Sequence, residues 1–257
     1  MLLRSANLMP MSSSRPEAKQ KDSKNPKDPK NPKDPKNPKD LKDLPERRPI
    51  VRLLQGLNRF VCRAYHRLDV LTPCRLPRRG AGIIICNHTS GLDPQLIQAC
   101  CPRMIIWMMA REYYDRPILR DMLRLVGVIP VTRGGRDMTA TRAALRALHE
   151  GQLLGIFPEG RIETTRQLLP FQTGVAMMAI KTGVPVFPAY LDGSQRGSGM
   201  LEGFLRPQRA VIAFGDEVIF DRYGEDREDL AAATAAMQSA IESLRQFARK
   251  ARPSRGF

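Results

Sequence analysis

From residue 81 to residue 214, short apolar runs alternate with helical stretches, and this alternation leaves few folds open. AGIIIC (81–86), MIIWMM (104–109), GVIPV (127–131), LLGIF (153–157), VPVFPAYL (184–191) and AVIAF (210–214) read as strands. Helical patterns occupy Gln95–Cys101, Pro117–Leu125, Asp137–His149 and Thr173–Lys181, and a long one, Ala231–Ala251, closes the chain. Strands separated by helices pair in parallel, with the crossovers covering the sheet. The expected fold is therefore α/β, a mostly parallel central sheet with helices on both faces. Ligands of such sheets sit beyond the carboxyl ends of the strands. The loops 87–93, 132–136 and 158–164 all leave such ends.

The chain before residue 80 has a different character. Residues 24–43 read KNPKDPKNPKDPKNPKDLKD, which holds too little apolar surface to offset the entropy of ordering. Residues 1–48 are read as a disordered Lys/Pro-rich tail and residues 49–257 as one domain. Within the segment 49–70, Ile50, Leu53, Leu54, Leu57, Phe60, Val61, Ala64 and Leu68 recur at helical spacing. Arg48, Arg52, Arg59, Arg63 and Arg67 take other positions. Such a helix can lie in a membrane interface or pack on its own domain, and the two can coexist at opposite ends of one helix.

Charge and cysteine usage narrow the partners. The net charge is +16; residues 1–49 carry 13 Lys and Arg against 7 Asp and Glu, the remainder 29 against 19. The domain is basic in its own right and attracts phosphate-bearing partners. Aromatic residues make up only 6% and do not interleave with the basic ones, which argues against nucleic acid. The five cysteines, Cys62, Cys74, Cys86, Cys100 and Cys101, have no framework spacing and read as reduced thiols of a reducing compartment. His66, His88 and His149 do not combine with them in a metal-ligand spacing. No apolar run approaches the ~18 residues of a membrane span, and residues 1–11 lack a leader's apolar core. Any membrane association is then peripheral.

The chemistry concentrates in Asn87-His88-Thr89-Ser90-Gly91-Leu92-Asp93, directly after the first strand. In a continuous helix His88 and Asp93 would lie roughly 140° apart. Here Ser90-Gly91 makes a turn, with Asp93 as N-cap and Pro94 at the first helical position, so the carboxylate can fold back onto the imidazole. An imidazole so held is fixed in one tautomer and can take a proton from an alcohol. Cys86, two residues upstream, offers an acyl-enzyme alternative, set against a buried strand thiol.

His88-x4-Asp93 resembles the first motif of the glycerolipid acyltransferases, a family that includes the 1-acyl-glycerol-3-phosphate acyltransferases. The resemblance runs from about residue 80 to 215. It continues in order through Gly127-Val128-Ile129-Pro130-Val131-Thr132-Arg133, Phe157-Pro158-Glu159-Gly160-Arg161 and Val184-Pro185-Val186-Phe187-Pro188. It implies transfer of a fatty acyl group from an acyl thioester, acyl-CoA or acyl-carrier protein, to a lysophospholipid hydroxyl. His88 would be the base, Asp93 its partner, and no cofactor or metal is implied. Backbone N–H groups near Gly91 or Gly160 are expected to receive the oxyanion. Glu159, Gly160, Arg133 and Arg161 would organise the acceptor's phosphate, Glu159 by bracing an arginine or the loop, and Arg111 would join the basic cluster. Arg133 and Arg161 are expected at adjacent strand ends.

Two departures bear on the acceptor. Glu159-Gly160-Arg161-Ile162 stands where enzymes of lysophosphatidic acid usually have Glu-Gly-Thr-Arg, and Gln172 stands where a lysine is common. Relatives acting on lysophosphatidylethanolamine can carry the Glu-Gly-Arg-Ile form. The expected acceptor is 1-acyl-glycerol-3-phosphate, with another lysolipid as the alternative, and the expected location is the cytoplasmic face of a membrane. A non-catalytic lipid binder of the same fold would not need both His88 and Asp93.

Overall fold

The computed structural model describes residues 49–135, 137–165 and 167–251. The Lys/Pro-rich tail and Arg48 lie outside these residues. In chain order the elements are α1 (Pro49–Ala64), β1 (Asp69–Val70), β2 (Gly82–Cys86), α2 (Asp93–Cys100), β3 (Ile105–Ala110), α3 (Arg111–Tyr114), α4 (Pro117–Leu125), β4 (Ile129–Val131), α5 (Met138–His149), β5 (Leu153–Ile156), α6 (Gly174–Thr182), β6 (Val186–Asp192), α7 (Met200–Leu205), β7 (Val211–Phe214) and α8 (Arg227–Ala251).

The strands form a seven-stranded sheet in the order β1-β7-β6-β2-β5-β3-β4. Every neighbouring pair is parallel except β6 and β7. The mostly parallel α/β expectation holds, with one antiparallel step that the sequence reading did not contain. A parallel neighbour needs a crossover long enough to return along the whole strand. The connection from β6 to β7 carries the short α7 and makes no such crossover, and β7 runs back alongside β6.

Period-two alternation sends successive β2 side chains to opposite faces. Ile83 and Ile85 join a core with Ala144 and Leu148 of α5, Ala176 and Ala179 of α6, and Met237 and Ile241 of α8. Ile84 and Cys86 face Cys62 of α1, Leu96 and Ile97 of α2, and Leu123 of α4. Both faces are therefore helix-covered, and β2 is buried along its whole length.

The helix at the start of the domain ends at Ala64, short of the expected boundary near residue 70. Arg67 takes a positive φ of 45°, and Leu68 turns inward ahead of β1. The division of α1 between core and surface runs by face, where the sequence reading placed it by end. Val51 and Cys62 are buried and Asn58 donates to the Gln95 carbonyl of α2 (2.9 Å), while Ile50, Leu53, Leu57 and Phe60 are exposed.

All five cysteines are free; Cys62, Cys86 and Cys101 are buried, Cys74 and Cys100 half-buried. Cys74 and Cys101 bring their sulfurs to 3.1 Å.

His66, just past α1, is fully buried, and neither ring nitrogen has a hydrogen-bond partner. Its ring lies between those of Tyr65 and Phe204 (5.0 and 6.2 Å between centroids). Burial pushes its pKa below the usual 6.5, so folding favours the neutral ring. The unfolded chain then takes up the proton first as pH falls, and stability drops below about pH 6.5. Thermal melts at pH 7.5 and 5.5 check this. His66→Leu is expected to lose less melting temperature between the two than the wild type, because the substituted chain has no ring to protonate.

Candidate active site

The centre of the site is the turn from β2 into α2. Asn87, one residue past the strand, donates from Nδ2 to the Leu191 carbonyl and accepts at Oδ1 from the Leu191 N–H, both at 2.8 Å. Its amide thus takes over the pairing with β6 where the backbone ladder stops, and the chain is free to turn at His88. Asp93 is fully buried. Its Oδ2 lies 3.0 Å from His88 Nδ1 and accepts from the Thr89 N–H (2.6 Å) and the Ser90 N–H (2.8 Å).

Asp93 is therefore not the N-cap expected from the sequence. Leu92 holds that position with no side-chain cap, and Asp93 is already the first helical residue. Its carboxylate reaches back to the preceding loop because two backbone donors and the imidazole converge on one oxygen. An ionised carboxylate only accepts, so His88 Nδ1 carries the proton and Nε2 keeps its lone pair. The His88 side chain is 17% exposed.

The loop after β5 clamps the same histidine. The His88 N–H donates to Glu159 Oε1 (3.1 Å), and the His88 carbonyl accepts from the Glu163 N–H (2.6 Å). Glu159 Oε2 accepts from the Leu169 N–H (3.1 Å), so this buried carboxylate braces the loop against His88, and among the described residues no arginine pairs with it. Burial pushes the Glu159 carboxyl up to about 7, against the two N–H groups that favour its ionised form. Phe157 stacks on the imidazole (3.9 Å between centroids, 12° between planes), and Trp107 stacks behind Phe157 (5.0 Å, 14°). Glu163 is buried and paired with Arg196, which also meets Asp192 at 3.1 Å.

Asn87, Glu163 and Arg196 escaped the sequence reading because each acts across 30 or more residues of chain. Phe157 lay inside a recognised motif, but nothing in the residue order showed that its ring would meet His88.

The glycines have geometric reasons. A Cβ on Gly91 would lie 2.4 Å from the Met200 nitrogen, so the backbone entering α7 rests directly on the turn that carries His88. Gly160 has φ +69°, and its turn follows Glu159. The two N–H groups considered for the oxyanion are engaged elsewhere: Gly91 donates to the Ser198 carbonyl (2.9 Å) and Gly160 to the Phe157 carbonyl (3.0 Å). Those two amides are thus not its donors in this arrangement.

The basic residues divide between two places. Arg111 opens α3 directly after β3, and its Nε donates to Thr132 Oγ1 (3.3 Å). The Arg133 guanidinium lies over the Tyr113 ring at 5.9 Å, with Arg116 over the same ring at 5.5 Å. Arg111 and Arg133 therefore share the carboxyl ends of β3 and β4, beside an open cleft of about 440 Å³ lined by Thr132, Arg133, Gly134 and Asp137. Arg161 is exposed on the loop after β5. Arg133 and Arg161 do not leave adjacent strand ends as expected, because β3 lies between β4 and β5. At about 4.8 Å per strand the two ends stand roughly 10 Å apart, and Arg111 directly follows the strand between them.

Comparisons with known proteins find acyltransferases. A family model described as Acyltransferase matches residues 67–192. The 1-acyl-sn-glycerol-3-phosphate acyltransferase of Bacillus subtilis is 24% identical over 172 residues, 66% of this chain and 83% of that one. The protein of the same name from Borreliella burgdorferi is 32% identical over 121 residues, 45% of this chain and 47% of that one. The crystal structure of the 1-acyl-sn-glycerophosphate acyltransferase of Thermotoga maritima shares the fold, with a TM-score of 0.62 over 81% of this chain and 85% of that one, at 23% identity. The matched span holds the His88–Asp93 pair and the loops that clamp it, and residues 67–192 form an acyltransferase domain similar to that of the 1-acyl-sn-glycerol-3-phosphate acyltransferases.

Proposed function

We propose that this acyltransferase moves a fatty acyl group from acyl-CoA or acyl-carrier protein to the hydroxyl of 1-acyl-glycerol-3-phosphate, giving phosphatidic acid for phospholipid biosynthesis. The observation that carries the reading is the imidazole of His88, held through Nδ1 by buried Asp93 with Nε2 left as base at the carboxyl end of β2. Nε2 takes the acceptor's hydroxyl proton as that oxygen attacks the thioester carbonyl. The tetrahedral intermediate collapses, the C–S bond breaks, and the imidazolium returns the proton to the leaving thiolate. A thioester is already activated, so no covalent enzyme intermediate and no cofactor enters. Arg111 and Arg133 on one side and Arg161 on the other supply cations for the acceptor's phosphate.

The acceptor and donor are amphiphiles or carry phosphate, which suits a protein at the cytoplasmic face of a membrane. Among the described residues no helix is long and apolar enough to cross one. The exposed apolar stripe of α1, with Arg59 and Arg63 beside it, is suited to lie in the interface. A second reading, lysophosphatidylethanolamine as acceptor, is favoured by Arg161-Ile162 and by the neutral Gln172. A diester monoanion asks for less positive charge than a monoester dianion.

Mass spectrometry of products from a donor-by-acceptor matrix, with His88→Ala as blank, tests this. Phosphatidic acid is expected as the main product. Products from lysophosphatidylethanolamine alone would move the assignment to the second reading. No acylated product from any pair would overturn the proposed reaction.

A further inference from the structure

We propose that α7, the short helix between β6 and β7, is a second lipid-facing element, forming with α1 one docking face for an anionic bilayer against the catalytic turn. The proposal rests on the reading that the protein works at a membrane, and it adds where the membrane lies relative to His88.

Exposed apolar side chains are unevenly distributed. Of the thirteen large ones exposed among the described residues, eight lie on α1, α7 and the residue after α1: Ile50, Leu53, Leu57, Phe60, Tyr65, Leu201, Phe204 and Leu205. Leu53, Phe60 and Leu201 are 67%, 69% and 70% exposed, too much for side chains packed on their own domain. On α1 the four apolar residues fall within roughly 80° of arc at 100° per residue, opposite the face that packs on α2. Leu201, Phe204 and Leu205 share one face of α7 by the same spacing, while Gly203 is turned inward.

The two helices are neighbours. Tyr65 donates from its hydroxyl to the Leu205 carbonyl (2.6 Å), and the Phe204 ring meets that of His66. Both also bear on Gln95 in the first turn of α2: Asn58 donates to its carbonyl, and its side-chain amide contacts the Met200 sulfur at 3.6 Å. The inner face of α7 rests on the catalytic turn. A Cβ on Gly203 would meet Ser90 Oγ at 3.1 Å and Leu92 Cβ at 3.2 Å, and Met200 lies on Gly91. One side of α7 thus touches the loop that carries His88, and the other offers leucines and a phenylalanine to the outside.

The charges say what covers this face. Arg59 and Arg63 flank the α1 stripe, while Arg206 after α7 is paired with Glu202 (3.1 Å), so the basic rim of the apolar area lies on its α1 side. A second copy of the chain related by a two-fold axis would bring arginines against arginines. The tail 1–48 is itself net basic, with its Lys-x-Pro repeat nearly devoid of apolar residues, and does not match such a face either. Anionic lipid supplies both phosphate for the rim and hydrocarbon for the stripe. An acceptor lying in that bilayer then has its glycerol hydroxyl at the depth of the turn and need not cross water to reach it.

The test uses the full chain with Leu201→Glu/Leu205→Glu, and in parallel Leu57→Glu/Phe60→Glu; all four residues are exposed and outside the catalytic machinery. Co-sedimentation is measured with vesicles of equal parts phosphatidylglycerol and phosphatidylcholine. Acyl transfer is measured on a short-chain lysolipid dissolved as monomer and on a long-chain one in vesicles. The α7 variant is expected to lose about tenfold or more of its partition, and a similar share of its vesicle activity, with monomer activity unchanged. If it binds vesicles as the wild type does while the α1 variant does not, α7 is not lipid-facing, although membrane docking through α1 stands. If both variants bind as the wild type, the whole face is wrong. A wild-type dimer in solution that either variant dissociates would assign the face to a second copy and overturn the lipid occupant.

Discussion

His88→Ala is expected to remove nearly all acyl transfer, a loss of about a thousandfold in kcat/KM or more, whereas Cys86→Ala keeps most of it. The two residues stand two positions apart, and either could be written into a mechanism from the sequence alone. Their environments separate them. Cys86 ends β2 fully buried, and burial, with the carboxylates of Asp93 and Glu159 nearby, pushes its thiol well above the usual range. The thiolate is the nucleophilic form, and here it is the disfavoured one. Its Sγ donates to Asn87 Oδ1 (3.4 Å), a contact that serves the turn and involves no reacting group. His88 instead has a partly exposed side chain, with Nδ1 engaged by Asp93. Initial rates of product formation measure both variants. Incubating the wild type with acyl donor and no acceptor supplies an independent check, since intact mass should not increase. An acyl adduct on Cys86 would falsify direct transfer.

Part of this site was legible because its signals are local. The run Gly82–Cys86 is apolar and rich in isoleucine, so a buried strand follows from five letters, and His88 and Asp93 follow it within one turn. Helices between the apolar runs then make most of the pairing parallel, without fixing the order of the strands. Where the signal was short or distant, the reading failed. β1 is two residues long and pairs with β7 some 140 residues later, with no pattern of its own. α7 spans six residues with a glycine among them, less than two helical turns and too little for periodicity to register. The antiparallel β7 carries the same apolar run as a parallel strand, so its direction could not be read from its residues. Arg133 and Arg161 were expected side by side because strand order across the sheet cannot be read from chain order. The placement of β3 between their strands brought Arg111 into the group.

Asp93 offers the sharpest division between holding the ring and charging it. Three contacts converge on Oδ2, and two of them are backbone donors, Thr89 N–H and Ser90 N–H. Asp93→Ala leaves both N–H groups buried without an acceptor, at about 1–3 kcal/mol each, and releases the imidazole. A loss of about a thousandfold in kcat is expected, together with a lower melting temperature. Asp93→Asn should behave differently. Where an amide replaces the carboxylate of a serine-protease triad, the histidine takes the wrong tautomer and activity falls about ten-thousandfold. In this turn the two N–H groups demand an oxygen at the Oδ2 position, so the asparagine amide is forced to present its carbonyl there. That same oxygen still accepts from His88 Nδ1, the tautomer is kept, and only the negative charge facing the imidazolium is lost. The expected cost is about ten- to a hundredfold in kcat, with the melting temperature near that of the wild type. Rates and melts of the two variants measured together decide the point. Equal losses of activity for alanine and asparagine, with the asparagine protein still folded, would mean that the turn does not orient the amide and that the backbone donors do not set the state of the base.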